Sequence, residues 1–196
     1  MTAGLVNEAV PITRYAYKAS LIGSAHQFEL TDAGLSWQIA GRSGIWAYTD
    51  IAAVRLSYRP VSMQSRRFRA DIENVNGRRI AVLSTTWQTV SLMTPQDQGY
   101  RAFITELHRR MKAAGSKASL TGGIGTMTYA VAVAMLALLA IAMVGLLVRA
   151  LATSEFIGAL FLVGMAVWFA WTIGGFIKRN RPRGYSFDAL PETLLP

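Results

Sequence analysis

The chain has no cysteine, which excludes disulfides, thiolate zinc sites and cysteine nucleophiles. It has only two histidines, His26 and His108, and neither stands in a His-x-x-x-His or acid-rich spacing of the kind that holds a metal. Charge is scarce: Asp, Glu, Lys and Arg make up 16% of 196 residues, against about a quarter in soluble domains. Two stretches, Ala118–Val148 and Phe156–Ile177, contain none of the four. Acid is scarcer than base, and the net charge is +9. There is no Gly-x-Ser-x-Gly elbow and no P-loop. Gly123-Ile-Gly125 opens an apolar run rather than a βαβ unit, so it is not a dinucleotide fingerprint. No catalytic constellation and no cofactor site is expected. Met1–Ser20 lacks a basic segment followed by an apolar one and does not read as a signal peptide.

What is present begins with the two uncharged stretches. A bilayer core about 30 Å thick needs about 20 apolar residues in a helix, and Ile124–Val148 and Phe156–Ile177 meet that length. The seven residues 149–155 between them force an antiparallel hairpin, with Ser154 expected to cap the second helix and Glu155 at its positive end. Arg109, Arg110, Lys112 and Lys117 precede the first span and Lys178, Arg179, Arg181 and Arg183 follow the second, whereas the connection holds only Arg149. Eight basic residues against one predict that both ends of the hairpin are cytoplasmic. Ala130 and Ala134 in the first helix, and Ala166, Ala170 and Gly174 in the second, recur every four residues. Such a stripe lets helices approach closely, either each other or a partner protein.

Before the membrane, residues 14–93 read as about seven short strands. Leu35, Trp37 and Ile39 alternate with polar residues, as do Val54, Leu56 and Tyr58, and the Asp32-Ala-Gly34 and Gly41-Arg-Ser-Gly44 segments read as turns. Asn76-Gly77 predicts a two-residue type I′ hairpin, with Ile72 opposite Ala81 and Ala70 opposite Leu83, and with Phe68, Ala70, Ile72, Ala81 and Leu83 facing the core. Thr94-Pro95-Gln96-Asp97 then predicts a helix start, Thr94 being the cap and Pro95 the first helical residue. Tyr100, Phe103, Ile104, Leu107 and Met111 form one apolar stripe; Arg101, Thr105, His108, Arg109 and Lys112 take the other side, where His108 is expected to be solvated.

Phe28–Trp37, Ile45–Ile51 and the spacing Tyr48, Asp50, Ile51, Val54 resemble the bacterial PH-like (pleckstrin-homology-like) domains. The resemblance covers about half of the chain. It implies a bent β-sandwich or barrel closed by a C-terminal helix, often found beside transmembrane hairpins. It implies no single activity, since relatives include lipid-binding, peptide-binding and purely structural modules. The expected organisation is an N-terminal segment (1–13), a PH-like domain (14–114), a flexible linker (115–123), spans at 124–148 and 156–177 joined by an external loop (149–155), and a cytoplasmic tail (178–196). Residues 1–117 are expected to fold as a soluble fragment.

Sixteen of the 20 basic residues are Arg, whose planar fork suits phosphate and carboxylate. Arg55 and Arg59 share one strand face, and the expected register brings Arg66, Arg67 and Arg69 near Arg78 and Arg79. Three readings of this surface stand: a solvated face with Asp71 and Glu73 as internal partners, a site for anionic lipid headgroups, and a docking face for protein. Nucleic acid is not expected, because neither a recognition helix nor an aromatic stacking platform accompanies the patch. The expected function is a binding module anchored in the bacterial inner membrane; the alternative is an accessory subunit, the helices packing into a larger complex or a homo-oligomer. Tyr185, Phe187, Leu190, Leu194 and Leu195 leave the tail three choices: docking on the domain, on a partner, or on nothing. Because the chain lacks cysteine, Ala152→Cys and Ala189→Cys each create a single label site. A membrane-impermeant maleimide is expected to label intact spheroplasts at 152 and not at 189; the reverse pattern overturns the topology.

Overall fold

The computed structural model describes residues 13–20, 23–59, 66–89 and 93–196. It divides into two compact units: residues 1–121 with 185–196, and residues 122–184.

The first unit opens with an antiparallel meander, β1 (Arg14–Tyr17), β2 (His26–Thr31), β3 (Gly34–Ile39) and β4 (Arg42–Trp46). The β3–β4 hairpin turns on Ala40 and Gly41, with φ of 48° and 78°. Ile39 then lies opposite Arg42. Positive φ at both central residues is the type I′ requirement, so the tight turn falls one residue earlier than the expected Gly41–Gly44. The second sheet holds β5 (Ile51–Tyr58), β6 (Phe68–Asn74) and β7 (Arg79–Leu83), with β10 (Ser119–Gly122) on the other side of β5. A short pair, β8 (Thr85–Trp87) and β9 (Met93–Pro95), precedes helix α1 (Asp97–Ala113). Nine strands therefore precede the helix among the described residues, where about seven are expected from the sequence.

The β6–β7 register differs from the expected one by one residue. Ile72 faces Ile80 and Ala70 faces Val82, and it is Ile80 and Val82, not Ala81 and Leu83, that are buried. The cause is the turn. Asn76 does not have positive φ, while Gly77 does, at 74°. The Gly77 N–H donates to the Asn74 carbonyl at 2.9 Å, and the Asn74 side-chain oxygen accepts from the Asn76 and Arg78 N–H groups at 3.0 and 2.9 Å. This is a three-residue type I turn with a left-handed glycine bulge, not a two-residue type I′ turn. The extra residue turns every β7 side chain to the other face.

The two sheets do not close into a barrel by a continuous ladder. They are tied by side chains: the Tyr15 and Tyr17 hydroxyls donate to the Leu83 and Ala81 carbonyls on edge strand β7, both at 2.6 Å. The Tyr48–Val54 segment that carries the resemblance is largely core. Tyr48, Ile51 and Val54 are buried, and the Tyr48 hydroxyl donates to the Thr31 carbonyl at 2.8 Å.

Helix α1 seals this core with Tyr100, Phe103, Ile104, Leu107 and Met111, all 0% exposed. Its start departs from expectation. Thr94 and Pro95 belong to β9, opposite Thr86 and Thr85, and the cap position falls on Gln96, without a side-chain capping bond. At the other end of α1, Glu106 accepts from Arg109 at 2.6 and 2.7 Å and from Arg110 at 2.7 Å. Arg110 also lies 3.7 Å from Asp32.

Residues 185–196 return to the first unit and pack on α1. Leu194 and Leu195 join the core at 0% and 6% exposure. Asp188 pairs with Lys112, Glu192 with Arg101 at 3.4 Å, and Arg101 also donates to the Pro196 carbonyl at 3.1 Å. His108, expected in solvent, is 1% exposed beneath this segment. Its Nδ1–H donates to the Ile104 carbonyl at 2.7 Å, and its Nε2 accepts from the Tyr185 hydroxyl at 2.9 Å, the neutral tautomer that satisfies both partners. The expected linker is also ordered: Ser119–Gly122 is strand β10, and the Leu120 carbonyl accepts from the Tyr185 N–H at 3.2 Å. A fragment ending at residue 117 thus lacks core residues Leu120, Leu194 and Leu195.

The second unit is a helical hairpin, α2 (Thr126–Ala152) and α3 (Phe156–Arg179), followed by the two-residue strand β11 (Arg183–Gly184). Both helices are long and apolar enough to cross a membrane, with mean hydropathy of 2.9 and 2.1, and Ala159 is their only buried residue. Ser154 does not cap α3. With φ of 59° it ends α2, its N–H reaching the Leu151 carbonyl and the Glu155 N–H the Ala150 carbonyl at 2.8 Å. This is a Schellman closure with serine in the usual glycine position. The half-buried seam runs through Leu136, Met143 and Leu147 of α2 and Leu162, Phe169 and Ile173 of α3, at seven- and four-residue spacings. Ala130, Ala134 and Gly174 are exposed; Ala166 and Ala170 are exposed too but line a groove between the helices with Leu136, Met143, Leu147, Leu162 and Phe169. A Cβ built on Gly174 would meet no atom within 4 Å. The half-buried contacts between the helices are made mainly by larger side chains.

Leu194→Ala is expected to cost about 2–5 kcal/mol, as much as Leu107→Ala, because both side chains are fully enclosed. Hydrogen exchange over residues 97–113 of the detergent-solubilised chain reads that loss; unchanged protection in the Leu194 variant means that the segment is not part of the core.

Acid is expected to weaken the unit in two windows. Burial lowers the His108 pKa below its ordinary 6.5, so its contribution is full above that value and is lost as pH falls further. Hydrogen bonds from Arg109, with help from Arg110, lower Glu106 from 4.5 to about 2, so its contribution is lost as pH drops between those values. His108→Gln should flatten the upper window in exchange rates of residues 185–196, and Glu106→Gln the lower one in those of α1.

Candidate anion-binding cleft

The site is built by the register of three strands. Across β5, β6 and β7 the rows Val54–Ile72–Ile80 and Leu56–Ala70–Val82 face the core. Period two sends the intervening rows to the opposite face: Ala53–Glu73–Arg79, Arg55–Asp71–Ala81 and Ser57–Arg69–Leu83. Arg59 follows directly, its N–H held by the Arg67 carbonyl at 2.8 Å. The outward side chains enclose a cleft of about 260 Å³, lined by Arg55, Arg59, Arg69, Asp71, Glu73 and Arg79 over a floor of Ala53, Ile80 and Ala81.

Both acids in the cleft are engaged. Asp71 accepts from Arg69 at 2.7 and 2.5 Å, and Glu73 from Arg79 at 2.8 Å. Arg55 has only a 3.4 Å contact from Nε to the Thr121 hydroxyl, and neither Arg55 nor Arg59 has a carboxylate partner among the described residues. Four guanidiniums against two carboxylates leave the cleft electropositive. Beside it, the Arg67 guanidinium is held below its ordinary pKa by burial and then by the neighbouring Arg69 and Arg59 charges. Its Nε donates to the Arg59 carbonyl at 3.2 Å.

Of the five arginines expected to act together, Arg69 and Arg79 line the cleft. Arg66, Arg67 and Arg78 do not. Arg66 and Arg67 precede β6 and Arg78 follows its far end, about 23 Å away at about 3.3 Å per residue. They do not form one patch. Arg55 and Arg59 take their place; their signal in the sequence is the alternation with Val54, Leu56 and Tyr58. Among the described residues no group of three His, Asp or Glu stands together as metal ligands do.

The chain matches no family model, no curated protein and no solved structure.

Proposed function

We propose that this chain is a membrane-tethered binding module. A PH-like domain is held at the cytoplasmic face of a bacterial inner membrane by a two-span hairpin, and it acts by binding an anionic group of phospholipid headgroups rather than by catalysing a reaction. The observation that carries the reading is the cleft in which Arg55 and Arg59 have no carboxylate partner among the described residues. The two apolar helices support the tether. The organisation of the first unit supports the topology: the chain leaves it after residue 121 and re-enters it at 185, so two crossings in between return to the side from which they started. That agrees with the eight flanking basic residues. Two antiparallel sheets sealed by α1 are consistent with the PH-like resemblance.

The accessory-subunit reading has its own observation. Ala130, Ala134 and Gly174 are exposed, where a partner helix would use them.

Full chain reconstituted into phosphatidylcholine nanodiscs, with and without phosphatidylglycerol, separates the two. The proposal expects added hydrogen-exchange protection over residues 53–59 and 68–83 with phosphatidylglycerol at about 0.05 M salt, because basic residues near an anionic surface gain about 1 kcal/mol each. No difference between the two membranes, together with a stoichiometric partner in native mass spectrometry, overturns it in favour of the subunit.

A further inference from the structure

We infer that the cleft contains a site for a single phosphate-type oxyanion, held between Arg55 and Arg59. The inference deepens the binding reading above and rests on it.

Arg55, Ser57 and Arg59 stand at alternate positions and so share one face. The two arginines are exposed and line the same cleft, while Ser57 between them is 0% exposed. Its Oγ is buried without a hydrogen-bond partner, a condition that native structures rarely tolerate. Ser57 does not itself line the cleft, so the oxyanion site is defined by the two guanidiniums, which have no carboxylate partner among the described residues. Asp71 and Glu73 keep Arg69 and Arg79 engaged, which leaves a local surplus of two positive charges, the charge of one phosphate monoester or somewhat more than one diester.

The walls limit what the phosphate carries. About 260 Å³ is below the usual range for a whole small ligand, about 300–1,000 Å³. Among the described residues no aromatic side chain lines the cleft, so a nucleobase finds nothing to stack on, and the outward Ala53 and Ala81 side chains are too small to bury an acyl chain. The ligand class is a phosphate with a small polar substituent, either a glycerophospholipid headgroup or a small soluble phosphate.

The test uses the detergent-solubilised full chain titrated with inorganic phosphate and with glycerol phosphate by calorimetry, at constant ionic strength made up with chloride. One saturable site is expected. Tripling the chloride from about 0.1 M should weaken it by less than tenfold, whereas binding by long-range attraction alone is screened away. The Arg55→Gln/Arg59→Gln double variant should weaken binding at least tenfold, while Arg78→Gln, outside the cleft, leaves it within twofold. Hydrogen exchange over residues 97–113 verifies that each variant is folded. Phosphatidylglycerol nanodiscs that compete with phosphate identify a headgroup source, and nanodiscs that do not compete identify a soluble one; both uphold the site. An anion response that follows ionic strength alone, and that Arg78→Gln lowers as much as the double variant does, overturns the site and leaves the membrane-binding reading standing. No response to phosphate or to phosphatidylglycerol overturns both.

Discussion

The apolar stripe of α1 must be enclosed on more than one side, and the β-sheets cover only part of it. Tyr15 and Phe28 pack against Phe103 from the first sheet, at ring separations of 5.6 and 6.3 Å. The remaining cover comes from residues 185–196, which bring Leu194 and Leu195 into the core and set Tyr185 and Phe187 against His108. Burying a histidine with both ring nitrogens satisfied specifies the docking more sharply than apolar contact does, since a displaced Tyr185 leaves Nε2 without a donor. The ion pairs to Lys112 and Arg101 lie at the exposed rim and contribute little beside that burial.

The parts legible in the sequence were those governed by local period. The strand alternation around Val54, the stripe from Tyr100 to Met111 and the two uncharged helices all follow from spacing within one element. Three things were not legible. The Asn76-Gly77 dipeptide serves both a two-residue and a three-residue turn, and the choice lies with the Asn74 side chain, which captures two N–H groups. His108 falls on the polar side of its helix by period, and its cover comes from Tyr185, 77 residues away in sequence. The small-residue stripe has the right spacing for close helix packing, yet leucine, methionine and phenylalanine side chains supply the seam. Of the candidate site, the arginine content was visible and its grouping was not, because grouping depends on register and one residue of slip replaces one set of neighbours by another.

The same slip decides the electrostatics of the outward face. In the observed register Glu73 lies opposite Arg79, and each acid of β6 is close to one arginine. Two carboxylates are thereby engaged by two guanidiniums within the sheet, and the arginines of β5 are left facing solvent. A face with the same composition but every acid between Arg55 and Arg59 would be neutral where this one is positive. The functional character of the surface therefore lies in pairing rather than in content.

The re-entry of the chain at residue 185 has a consequence for how the molecule is made. Leu194 and Leu195 are synthesised after both apolar helices, and the core they complete is otherwise supplied by residues up to 120. During synthesis the sheets and α1 wait with an open flank while both apolar helices are produced. Synthesis of the hairpin thus precedes closure of the domain, and a chain whose hairpin failed to turn back would never deliver its closing segment to the unit that needs it. Completion of the domain is in this sense a built-in check that the hairpin has been correctly laid down.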